Sequence, residues 1–215
     1  MNDRVCRMLK RCLIVVGLAA SGLAISGCTT VITDAVGLGL EDRTTDDQIQ
    51  DSSIHSEILQ RFAEVDKNLI LDLNINVWEG RVLLTGVLND KNLHAEARRL
   101  IRQDNRIQTL IDEVQIVSKA AVEARRKQAR DSGQKKKSAA GQAVSDFWIE
   151  SKIKLQMIGV QGVTSVNYRW QSVFNRVYII GRAGSAGEKK KVLGVIRKTE
   201  GVMTVRSYIK IKPVN

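Results

Sequence analysis

The apolar residues of this chain fall into one short continuous run, followed by a pattern that occurs twice. The run, residues 13–25, follows Arg4, Arg7, Lys10 and Arg11 and carries no charge. As a helix it would rise roughly 20 Å, short of the roughly 30 Å hydrocarbon core of a bilayer. It therefore predicts a secretory signal that is cut off, not a span. Further on, "DDQIQDSSIHSEILQRF" places Ile54 and Ile58 one turn apart on a modestly amphipathic helix. "LNINVWEGRVLLTGVL" alternates around Glu79 and Gly80 and predicts a hairpin, strand 73–78 and strand 81–87. "DKNLHAEARRLIRQDN" gathers Leu93, Ala97, Leu100 and Ile101 on one face of a second helix, and "QTLIDEVQIV" supplies a last strand. The order returns in "VSDFWIESKIKLQM", "VTSVNYRW", "NRVYIIGRA", "AGEKKKVLGVIRKTEG" and "VMTVRSYIKI". At an offset of 95 residues Ile54 and Ile58 fall on Ile149 and Ile153, Arg81 and Val82 on Arg176 and Val177, and Gly86 on Gly181. Such self-similarity marks an internal repeat. Each unit reads α-β-β-α-β, a three-stranded sheet with two helices on one face, an α+β arrangement. The hairpin loop is expected to be longer in the second copy.

The end of the apolar run adds chemistry. Ile25, Ser26, Gly27 and Cys28 resemble the bacterial lipobox. That resemblance implies a lipidated Cys28 left after removal of residues 1–27, and several acyl chains make an essentially permanent attachment. Thr29, where an Asp would resemble an inner-membrane retention mark, implies an outer-membrane lipoprotein facing the periplasm of a Gram-negative cell. Cys6 and Cys12 leave with the signal, so no disulfide or thiolate metal site is expected.

Charge then separates the two copies. Residues 41–118 hold nine basic and fifteen acidic residues, residues 119–140 eight and two, and residues 141–215 thirteen and four. The basic second half predicts an anionic partner, and a periplasmic location favours membrane over nucleic acid. Residues 119–143, rich in Ala, Arg, Lys, Gln and Ser, read as a basic linker whose first half extends a helix up to Ser132 and Gly133. Residues 28–45 read as a tether.

The element order, with "VLLTG" and "VYIIG" in the second strands and "IDEVQI" and "VMTVRSYIKI" closing the copies, resembles the BON domain. The whole chain resembles the dual-BON-domain outer-membrane lipoproteins of proteobacteria, with BON domains at 46–118 and 144–212. The resemblance implies two tandem BON domains, phospholipid binding through the first helix of the second one, and a role in outer-membrane integrity. Residues 119–140 are longer than the linker the resemblance leads one to expect.

The residues of that helix support lipid docking on their own terms. From about residue 144 to 158, Ile149, Ile153 and Met157 form the stripe a core-facing helix needs. Trp148 and Leu155 share a different face, Phe147 extends it at the helix start, and Lys152 and Lys154 bracket it. An indole at headgroup depth with ammonium groups near phosphates is what an interfacial helix presents. The competing expectation is that Trp148 packs on the sheet edge or on the first repeat. Trp78 is expected to be half-buried beside its turn; Trp170, in the second hairpin with Arg169, takes the structural reading, with a second lipid contact or a partner contact as the alternative. Lys189, Lys190 and Lys191 read as a solvated face, and Gly86 and Gly181 as structural positions closing their strands.

No enzyme is expected. His55 and His94 lie in different elements without Cys, Asp or Glu at ligand spacing, and no nucleophile, P-loop or dinucleotide motif sits in its required context. Neither cofactor nor metal is expected. Two functions remain: a lipid-binding module, or a protein-interaction scaffold for envelope or outer-membrane assembly proteins in which lipid plays no part.

Overall fold

The computed structural model describes residues 41–132 and 145–212. The expected signal, Cys28, most of the expected tether and the second half of the basic segment lie outside the described residues.

Helix α1 (Thr45–Val65) starts where the Thr44 side chain accepts a hydrogen bond from the Asp47 N–H, with Asp46 and Asp47 favourably placed in its first turn. It buries Ile54, Ile58 and Phe62 at successive turns. Asp66 ends it and caps the short α2 (Lys67–Asp72) by accepting from the Asn68 N–H at 2.8 Å. Strands β1 (Leu73–Trp78) and β2 (Arg81–Leu88) pair antiparallel, from Leu73 opposite Gly86 to Trp78 opposite Arg81. Helix α3 (Lys91–Arg102) returns the chain to β3 (Thr109–Ile116), which lies parallel to β2, so β2 is central. After α4 (Lys119–Ser132) the order repeats: α5 (Asp146–Ile158), a 3₁₀ turn at Ser165–Asn167, β4 (Tyr168–Val173), β5 (Arg176–Ala183), α6 (Ala186–Lys198) and β6 (Thr204–Ile211), again with the second strand central.

The second hairpin loop is not longer, which corrects the sequence expectation. Phe174 and Asn175 form a two-residue turn with φ of 50° and 63°, matching Glu79 and Gly80 at 50° and 67°. Turns with both central residues in the left-handed region match the twist of paired strands, but a Phe there is disfavoured. A carboxylate holds it: Asp146 accepts from the N–H groups of Phe174 and Asn175, both at 2.9 Å, and from the Ser172 hydroxyl at 2.6 Å. Asp51, the equivalent residue at the 95-residue offset, accepts from Glu79 and Gly80 at 2.7 and 2.9 Å.

Gly86 and Gly181 are structural, but they lie within their strands rather than closing them, since β2 runs on to Leu88 and β5 to Ala183. Each faces the first residue of its hairpin's opening strand, Leu73 and Tyr168. At Gly86, φ is 127° and a Cβ would overlap the Asp72 carbonyl oxygen and lie 2.9 Å from the Leu73 Cα.

Each sheet packs helices on one face. In the first repeat the α1 stripe, Leu69, Leu73, Ile75, Val82, Leu84, Leu88, Ala97, Leu100 and Ile101 close one core. In the second, Ile149, Ile153, Met157, Tyr168, Val177, Ile179, Val192 and Ile196 close another. The opposite sheet faces meet each other. Trp78, Leu83 and Val87 pack with Val173, Tyr178 and Ile180 in a third apolar cluster, which Val122 of α4 completes. The layers therefore run helix, sheet, sheet, helix, and every residue of β2 is buried.

Trp78 is accordingly fully buried, not half-buried. The Arg43 and Arg169 guanidinium groups stand 4.2 and 5.4 Å from its ring centre. Polar bridges cross the same seam: Arg81 donates to the Tyr208 and Gly181 carbonyls at 2.8 and 3.2 Å, and burial depresses its pKa. Gln115 donates to the Tyr178 hydroxyl at 3.2 Å. Two segments outside the repeats also dock. Arg126 of α4 donates to Asp72 at 2.6 and 2.5 Å. Asp42 accepts from the Asn167 amide at 2.6 Å, so the equivalent positions Asp72 and Asn167 are each held from outside their own repeat.

Candidate membrane-binding surface

Helix α5 is anchored on one side and bare on another. Ser145 caps it by accepting from the Trp148 N–H at 3.2 Å, and Asp146 ties its first turn to the hairpin tip. Ile149, Ile153 and Met157 are fully buried, as the stripe predicted. Trp148 has 45 %, Phe147 58 %, Leu155 73 % and Ile158 69 % of its surface exposed. Successive helical residues turn by about 100°, so Phe147, Ile158, Leu155 and Trp148 fan across an arc of about 100°, with Lys154 at one edge and Lys152 at the other; the one polar residue within it, Ser151, donates its hydroxyl to the Phe147 carbonyl at 2.9 Å. No described helix is long and apolar enough to cross a membrane.

The two edge lysines differ. Lys154 is exposed. The Lys152 ammonium stands 5.0 Å from the centre of the Trp148 ring and pairs with Glu200, which holds the Glu200 carboxyl below its usual range. Exposed pairs of this kind contribute little, so a phosphate can replace Glu200 at small cost. On the flank of α5 that meets β4, Glu150 accepts from the Ser172 N–H at 2.7 Å and the Gln171 amide at 2.6 Å. Burial pushes its carboxyl up to about 7; the Ser172 hydrogen bond opposes that rise, and Asp146 adds to it.

All five expected lipid-contacting residues lie on α5 outside the core: Phe147, Trp148, Lys152, Lys154 and Leu155. Cys28 lies outside the described residues. Ile158 was missed, although it sits three turns beyond Phe147 on the same line. Trp170 packs within the fold. It lies in β4, half-buried against the second core, and its indole N–H donates to the Glu150 carbonyl at 3.3 Å. The Lys189 and Lys191 ammonium groups donate to the Ile209 and Gln161 carbonyls at 2.9 and 2.8 Å. Lys190 and Lys191 are exposed and match the solvated face, whereas Lys189 is half-buried.

Comparison with known proteins places this helix within a recognised unit. Residues 145–213 match the BON domain, a kind of domain associated with phospholipid membranes. The chain is 28% identical over 140 residues to an uncharacterized protein in the gshII 5′ region of Anaplasma centrale, covering 65% of this chain and 82% of that one. Two solved structures of CdsD, a structural protein of the type III secretion system of Chlamydia trachomatis, also align. The first is 10% identical with a TM-score of 0.29, covering 74% of this chain and 91% of that one. The second, its C-terminal domain, is 11% identical with a TM-score of 0.28, covering 76% and 67%.

Proposed function

We propose that the protein is an outer-membrane lipoprotein, anchored through Cys28 on the periplasmic face, that binds anionic phospholipid through α5 and supports outer-membrane integrity. The exposed arc of Phe147, Trp148, Leu155 and Ile158 carries this reading. None of the four is needed to close the core, and a folded domain leaves so much apolar surface on one helix face where something covers it. The lysines at its edges and the thirteen basic against four acidic residues of 141–215 give the attraction its sign. Each Lys or Arg near an anionic surface adds on the order of 1 kcal/mol.

The test uses residues 37–215, which form one compact unit, in flotation with vesicles. Binding is expected to phosphatidylglycerol-containing vesicles but not to purely zwitterionic ones, and to weaken as salt rises. Trp148→Ala should reduce it about tenfold, the loss of a partly inserted indole, while the melting temperature holds because Trp148 lies outside the core. Unchanged binding in Trp148→Ala, or no binding to any vesicle, would reject the lipid reading and leave the scaffold for envelope assembly proteins.

A further inference from the structure

The edge of the molecule beside α5 belongs to the first repeat. Leu71, with 65 % of its surface exposed, and Phe147 line one groove of about 220 Å³ together with Asn74, Arg125 and Glu150. Leu71 comes from α2 of the first repeat and Phe147 from the bare arc of α5, so the apolar surface does not stop at the repeat boundary. It cannot be pulled apart on docking either, because the shared cluster around Trp78 and the Arg81 bridges lock the two sheets together. A membrane meeting the Phe147 end of the arc therefore meets Leu71.

Charge points the same way. The first repeat, with fifteen acidic and nine basic residues at 41–118, would be repelled by an anionic surface. At this edge, however, it is covered by α4, which carries five basic and two acidic residues and sets Arg125 in the groove wall.

We infer that the membrane-binding surface is built from both repeats, with Leu71 and the basic helix α4 entering the anionic lipid interface alongside Phe147 and Trp148. This rests on the lipid reading of α5, and the experiment separates the two. Residues 37–215 contain no cysteine, so Leu71→Cys can be labelled singly with an environment-sensitive dye. Ile49→Cys is the control: its side chain is 60 % exposed on the face of α1 turned away from Ile54, Ile58 and Phe62. Phosphatidylglycerol-containing vesicles should shift the dye at 71 to the blue and leave the dye at 49 unchanged. Leu71→Asp should weaken flotation about tenfold with an unchanged melting temperature, whereas Ile49→Asp should bind as the parent does. If Trp148→Ala weakens binding but Leu71→Asp does not, or if the dye at 71 stays unshifted on bound vesicles, the first repeat is no part of the surface and α5 acts alone. If neither Trp148→Ala nor Leu71→Asp alters binding, both readings fall.

Discussion

Glu150 shows how one side chain sets a pH dependence. Its carboxyl sits near 4.5 when free and at about 7 in the fold, because burial penalises the charge. A raised carboxyl pKa means that the folded state holds the proton more tightly. The stabilisation is therefore complete below about pH 4.5 and is lost as pH rises through about 7. Above that, the ionised group costs the fold up to about 3 kcal/mol. Glu150→Gln keeps an acceptor for the Ser172 N–H and removes the titration. Melting followed across pH should show the variant more stable than the parent above about pH 7, with the gap closing towards pH 4.5. A parallel pair of curves would show that the carboxyl is solvated after all. At this scale the exposed positions on α5 were legible, because once Ile149, Ile153 and Met157 claim the core, helical geometry alone turns Trp148 and Leu155 outward. The buried carboxyl was not, because its environment comes from β4, more than twenty residues away.

Elements here are tied by contacts that local sequence does not reveal. "SVFNR" looks like a long loop, since Phe is a poor turn residue, yet Asp146 at the start of α5 makes it a two-residue turn as tight as Glu79 and Gly80. Asp146→Ala removes three acceptor contacts to one carboxylate and leaves two N–H groups unpaired. It should cost about 3 kcal/mol by denaturant unfolding, and Asp51→Ala in the first repeat should cost a similar amount. A loss below about 0.5 kcal/mol at either site, the level of an ordinary surface substitution, would mean that the turn holds itself. The basic segment after β3 offers a parallel case. Its scarcity of large apolar residues suggested a linker, but one buried valine, Val122, and one ion pair, Arg126 with Asp72, dock its first half as α4.

On the scale of the whole molecule the two repeats share a core. Each closes around an apolar set of its own, and the structure adds a third set between the sheets. Trp78→Ala opens a cavity in that set, at a cost of about 3–5 kcal/mol. The two remaining tryptophans, Trp148 and Trp170, both lie in the second repeat, so their fluorescence reports its unfolding alone. Their transition should move to lower denaturant although the substitution is in the first repeat, and it should coincide with the loss of helical signal. A second-repeat transition left in place would show two independent domains.

Period and repetition in the sequence determined the long helices and the strands, the α+β class, the duplication and the outward positions of Phe147, Trp148 and Leu155, since each depends on which side of its own helix or strand a residue lies. The tertiary structure decided what covers the second face of each sheet. "VLLTGVL" and "VYIIG" already carried a trace of it: Leu83 and Val87 break the alternation of a half-exposed strand, as strands buried on both faces do. Which surface would meet them, and that Trp78 would be sealed beneath it, depended on residues about a hundred positions apart. No local period encodes contacts at that separation; they form only when two preformed apolar faces find each other.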